Sequence, residues 1–193
     1  DQDGDFDQGV ITHEYVHGIS NRLVGGPANV SCLQNSQQPG EGISDWYGLV
    51  LSTLPTDTGP MPRGVGTYLL GQPTNGPGVR TQRYSTDQTV NTWTYSSIGG
   101  MVVPHGVGSV FAQGMWEVYW ALIDEHGFDA DVYDAAGNAG NQRALLYMTE
   151  GLKDTMCSPT FLNVRDGIIQ AGTDNHGGGD VCVIWEACAA FGM

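Results

Sequence analysis

The stretch THEYVHGISNRL, residues 12–23, sets Glu14 beside His13 and places His17 four residues after His13. On a helix, positions i and i+4 share one face, so the two imidazoles project together from adjacent turns. That spacing lets both bind one zinc ion, with Glu14 on the neighbouring flank to hold a water. A core helix with two satisfied histidines would show the same five residues, so the search for a further ligand decides the reading. A catalytic zinc takes three protein ligands and keeps one position open. The pattern with a third histidine six residues after the second fails, because Leu23 stands there.

An acidic third ligand is supplied by GEGISDWYG, residues 40–48. Glu41 and Asp45 are again i and i+4 on a predicted helix and can both face the first one. Glu41 would complete a two-histidine, one-glutamate set, and Asp45 would accept the far N–H of a ligating histidine and fix its tautomer. The plainer reading of these carboxylates is an acidic helix start favoured by the dipole. Two of them at this spacing, following H-E-x-x-H, favour the metal site.

Helical elements must carry these residues. Periodicity predicts helices over residues 9–23, from about Gly40 to the break at Pro55, and over 107–123, where Val107, Phe111, Met115, Val118 and Leu122 recur. His126-Gly127 closes the last of these. Further helices fit 142–152, 159–170 and 181–191, with Ser158 capping Pro159 at a first-turn position. Residues 55–104 are rich in Gly, Pro, Thr and Ser, and read as an ordered irregular segment with turns or short strands at the rim of a site. The expected fold is mainly α, one domain or large subdomain over residues 1–193.

Seven Lys+Arg against 21 Asp+Glu give a formal net charge of −14 in 193 residues. That acidity argues against nucleic acid and anionic membranes as partners. No run of eighteen apolar residues spans a bilayer. The chain opens at Asp1 inside an acidic segment, without a starting methionine, and reads as processed or trimmed. Four cysteines without a C-x-x-C pair fit one or two disulfides in an oxidising compartment, or four buried thiols.

DGDFDQGVITHEYVHGISNRLVGGPANVSCL followed by GEGISDWYG resembles the fungalysin family of secreted zinc endopeptidases, within the thermolysin-like group. RYSTDQTVNTWTYS, PHGVGSVFAQGMWEVYWALIDEHG, GLKDTMCSPTFLNVRDGIIQA and CVIWEACAAFGM extend the resemblance over nearly the whole chain. It implies zinc ligation by His13, His17 and Glu41, with Glu14 as catalytic base. It also implies secretion as a proenzyme with an N-terminal propeptide. Two positions depart from the family pattern. Gln38-Pro39-Gly40 replaces a Gly-Gly-Met lead, and Ile43 replaces a Trp, which should change packing without removing a ligand. The resemblance further implies a β-containing subdomain upstream of the zinc helix that helps hold substrate, so this chain reads as a fragment or as an unusually small version.

His105, ahead of the long helix, corresponds to a histidine that donates to the developing oxyanion; the alternative is an ordinary helix-start histidine. Tyr95, Tyr84 and Arg83 are weaker candidates with structural roles. The resemblance suggests a Cys157–Cys182 disulfide and leaves Cys32 and Cys188 paired or free. Asp1, Asp3, Asp5 and Asp7 alternate around Gly4 in a manner that suits calcium, but Thr12 stands where an EF-hand glutamate belongs. The competing reading is a solvated lead whose Asp7 caps the zinc helix. His126 and His176 receive no role, and Asn29-Val30-Ser31 fits a glycosylation acceptor in a eukaryotic secretory host.

The reading is a secreted zinc-dependent endopeptidase acting on protein or peptide substrates. Two alternatives stand beside it: a zinc aminopeptidase, and a non-catalytic metal-stabilised helical module that needs a further segment.

Overall fold

The computed structural model describes residues 2–193. Among them six α-helices follow in order: α1 (Gln8–Leu23), α2 (Gly40–Val50), α3 (His105–His126), α4 (Gly140–Asp154), α5 (Phe161–His176) and α6 (Val181–Phe191). Short 3-10 turns stand at Gly4–Phe6 and Tyr95–Gly100. The described residues contain no strand, and one antiparallel bridge joins Arg63 to Tyr84. The mainly helical expectation holds.

α1 starts where Asp7 accepts the Val10 N–H at 3.2 Å, and it ends ahead of Gly25 and Gly26, both at positive φ. α2 stops at Val50, short of the predicted break at Pro55. Ser52 and Thr53 send their hydroxyls back to Gly48 O and Leu49 O at 2.7 and 2.9 Å, while their amides tighten into i→i−3 turns. α5 starts later than predicted. Ser158 has φ +58° and cannot cap, whereas Thr160 is extended and forms a reciprocal pair with Asn163 at the helix start. α3 ends as expected at Gly127, φ +76°, whose N–H reaches Ile123 O at 2.7 Å.

The core forms around α3, which packs on α2, α4 and α6. Phe111, Met115, Trp116, Tyr119 and Leu122 are fully enclosed, and Ile43 and Trp46 meet them from α2. Trp46 Nε1 donates to Met115 O at 3.0 Å. Ile43, at the position where the resembling family carries Trp, is completely buried. α1 lies against α2, placing the histidine helix on the edge of this core.

The disulfide is a correction. Cys32 bonds Cys157, joining the loop after α1 to the α4–α5 loop, whereas Cys157–Cys182 was expected. Ser158 N donates to Cys32 O and Gly25 N to Thr155 O, so these two loops lie side by side. Cys182 sits exposed near the start of α6, and Cys188 is buried; both are free thiols.

Candidate metal centre

α1 presents His13 and His17, and α2 presents Glu41 and Asp45 to them. His13 Nε2 stands 3.1 Å from His17 Nε2 and 3.2 Å from Glu41 Oε2, and His17 Nε2 lies 3.6 Å from Glu41 Oε1. Among the described residues this is the one cluster of His, Cys, Asp or Glu able to share an ion. Ligands about 2.0–2.1 Å from a tetrahedral ion stand about 3.3–3.4 Å apart, so the three donors match the spacing such an ion requires. Glu41 Oε2 is buried and no donor is well aligned on it, the nearest being His13 Nε2 at 3.2 Å, so a cation would satisfy it. The donor set fits zinc.

Asp45 stands behind His13. Its Oδ1 accepts from His13 Nδ1 at 2.8 Å, which turns the His13 Nε2 toward His17 and Glu41. His17 Nδ1 is 3.3 Å from Ser44 Oγ. The electrostatics are those of a site built for positive charge. Burial pulls His13 down, but its hydrogen bonds to Asp45 and Glu41 outweigh this and raise it to about 9. His17 is held low by burial and by His13. Glu41 and Asp45 both lie below the ordinary carboxylate range: burial opposes this, and the hydrogen bonds from His13, joined at Asp45 by Arg80, prevail.

Glu14 is exposed on the flank of α1. It lines a groove of about 200 Å³ together with His13, Glu41, Arg80 and His105. Val10, Val65, Leu69 and Val79 supply an apolar wall to the same groove. A larger cavity of about 560 Å³ lies elsewhere, between residues 55–60 and the second half of α3, with Ala187 and Ala190 of α6 at its edge. His105 opens α3 with its side chain 63% exposed and its Nε2 3.5 Å from Glu41 Oε2. Of the residues singled out for the chemistry, His13, Glu14, Glu41 and His105 line this groove, while His17 and Asp45 stand behind it in contact with His13.

Arg80 is the residue that sequence reasoning missed. Its Nε and Nη2 each donate to Asp45 at 2.8 Å, and Nη2 lies 3.5 Å from Glu41. Arg83, named above as a weaker candidate with a structural role, donates to Asn75 O at 3.2 Å. Both sit in GVRTQRYS, and no local signal separates them. Tyr84 donates its hydroxyl to Asp45 at 2.6 Å, while Tyr95 reaches Gln37 at 3.2 Å, away from the groove.

In the acidic lead, Asp3 and Asp7 spend their carboxylates on backbone N–H groups of Asp5, Val10 and Leu69. Asp1 lies outside the described residues, and no candidate metal cluster among the described residues includes Asp3, Asp5 or Asp7. His126 and His176 belong to a separate network. His126 Nε2 lies 2.6 Å from Asp180, which also accepts from Arg143 and from Tyr147, and the Tyr147 hydroxyl meets His176 Nδ1 at 2.9 Å.

The family model of the fungalysin metallopeptidases (M36) matches residues 1–193. An extracellular metalloproteinase MEP of Leptosphaeria maculans is 35% identical over the whole chain, as is extracellular metalloproteinase 2 of Arthroderma gypseum. An extracellular metalloproteinase of Pyrenophora tritici-repentis is 36% identical, again over the whole chain. The chain spans 31%, 31% and 30% of the lengths of these relatives.

Proposed function

The chain belongs to the fungalysin metallopeptidase family, and from that premise we propose that it is the metal-binding catalytic part of a secreted zinc endopeptidase. The carrying observation is the meeting of His13, His17 and Glu41 at tetrahedral spacing beside a groove that Glu14 lines together with His13 and Glu41. His13, His17 and Glu41 would hold the zinc ion, which would supply a Lewis acid able to polarise a peptide carbonyl and make a water more acidic. Glu14 takes the proton of that water as its oxygen attacks the carbonyl carbon, and gives it to the amine nitrogen as the C–N bond breaks. His105, exposed at the groove, donates an N–H to the oxygen on which charge grows. Arg80 keeps a guanidinium at the groove wall for a substrate carbonyl, and the valine-lined side suits an apolar side chain.

Secretion is supported by the relatives' naming as extracellular and by the Cys32–Cys157 disulfide, which belongs to an oxidising compartment. No helix among the described residues is long and apolar enough to cross a membrane. In this proposal residues 1–193 form one catalytic subdomain, residues 55–104 build part of its groove, and an upstream β-containing subdomain and propeptide complete the protein.

Hydrolysis of an internally quenched peptide, with zinc content measured on the same sample, tests the proposal. One zinc per chain and chelator-sensitive cleavage are expected; Glu14→Gln should keep the zinc and lose turnover by roughly 10²–10⁴-fold. An active Glu14→Gln variant would remove Glu14 from its role. Equal cleavage of free and N-acetylated peptides separates an endopeptidase from an aminopeptidase. The share of the relatives' length that the chain spans favours a second reading, a metal-stabilised part that needs the upstream segment for cleavage; zinc without hydrolysis is its signature.

A further inference from the structure

Asp45 is 1% exposed, and each of its oxygens is engaged twice. Oδ1 accepts from His13 Nδ1 and Arg80 Nη2, and Oδ2 accepts from Arg80 Nε and the Tyr84 hydroxyl. A carboxylate offers about four lone-pair sites, so this one is saturated. It cannot turn about its Cβ–Cγ bond without breaking hydrogen bonds in a place where no water replaces them. With both its oxygens already accepting, Asp45 holds His13 Nδ1 as the donor and leaves Nε2 as the ligand atom.

The partners of Asp45 differ in how firmly they are held. Arg80 is a long side chain that also reaches toward Glu41. Tyr84 has a two-torsion ring that is completely buried, and its backbone is clamped to Arg63 by paired hydrogen bonds of 2.8 and 2.9 Å. Its hydroxyl is therefore the fixed point of the set. The clamp also reaches the groove wall, because Val65 follows Arg63 by two residues and binds the Val79 N–H at 2.9 Å.

We propose that Tyr84 is a positioning residue of the metal centre: its hydroxyl sets the plane of the Asp45 carboxylate and, through it, the orientation and tautomer of His13. This inference rests on the metal-site reading above. It ties the irregular 55–104 segment to the ligand geometry, so that segment positions the ligands as well as lining the groove.

Tyr84→Phe removes the donor and keeps the ring. Chelator competition should show zinc affinity reduced measurably, by less than the roughly ten- to a hundredfold cost of losing Asp45, the partner bound to the ligand itself. In the metal-free protein, the His13 Nδ1–H resonance should move from its wild-type position in a proton–nitrogen NMR spectrum. Tyr84→Phe added to Asp45→Asn should weaken zinc binding little further, since Tyr84 acts through Asp45. A variant that is less heat-stable yet keeps wild-type affinity and the wild-type Nδ1–H resonance would overturn the proposal, as would additive losses in the double variant. Should Tyr84→Phe fail to fold, 3-fluorotyrosine at position 84 keeps ring and hydroxyl; an unmoved resonance would then count against the role. Wild-type protein that binds no zinc refutes the metal-site reading itself, whereas zinc binding that His13→Ala abolishes and Tyr84→Phe leaves intact refutes only the role of Tyr84.

Discussion

Gly42 of α2 and Gly108 of α3 meet backbone against backbone, and a Cβ on either would strike the other helix. The contact stands one residue from Glu41 and three from His105, so it sets how far Glu41 lies from His105. Close approach of two helices through paired glycines explains why Glu41 on α2 and His105 at the head of α3 can share one small groove.

Gly42→Ala tests this crossing. The added methyl falls on the Gly108 carbonyl, which has no flexible end to give way, so α2 and α3 must part. Denaturant unfolding should show a loss of about 1–3 kcal/mol, the usual cost of overpacking, with zinc affinity falling as Glu41 shifts. Gly99→Ala, where an added Cβ meets nothing, is the control and should stay within about 0.5 kcal/mol of wild type.

Asp45→Ala should weaken zinc binding by roughly ten- to a hundredfold. It also strands Arg80 and Tyr84, whose donors both end on Asp45, so the metal-free protein should melt at lower temperature. Affinity equal to wild type in a chelator competition would show that His13 needs no orienting partner.

Acid should loosen the far end of the helical core only as pH falls below the ordinary carboxylate range of an unfolded chain. Asp180 is nearly enclosed; burial alone would raise its pKa, but hydrogen bonds from Tyr147, His126 and Arg143 hold it lowered. A lowered folded-state pKa means stability that is present above the unfolded value of about 3.9 and is lost as pH falls through the folded one. Thermal melts from pH 7 downward should therefore show wild type more stable than Asp180→Asn at neutral pH, with the gap closing below about pH 4. A gap independent of pH would mean that the charge of Asp180 contributes nothing.

The disulfide can be read directly. Non-reducing peptide mapping should recover Cys32 joined to Cys157, while Cys182 alkylates without reduction. Replacing both bonded cysteines by serine frees a link between residues 125 apart and should cost at most about 4–5 kcal/mol on the chain-entropy estimate. Cys182→Ser, at an exposed position, should change stability by less than about 0.5 kcal/mol.

The most local features were the most legible. His13 and His17, like Glu41 and Asp45, are pairs at helical spacing, and 3.6-residue periodicity puts each pair on one face whatever the rest of the chain does. Capping chemistry marked the start of α1 at Asp7 and the end of α3 at Gly127. The end of α2 and the start of α5 were misplaced, because hydroxyls competing for backbone and the choice between Ser158 and Thr160 as cap depend on small local balances. Sequence alone thus determined the helical class, the metal-ligand candidates and the glutamate beside them.

Tertiary structure decided what stands opposite those pairs. Whether Arg80 or Arg83 reaches Asp45, where the Tyr84 hydroxyl points, how near His105 comes to Glu41 and which cysteine Cys157 meets all depend on how an irregular segment and distant loops return to the helices. Such contacts join residues tens of positions apart through a path without periodicity. They are chosen by packing and by satisfying the buried Asp45 rather than by any spacing along the chain.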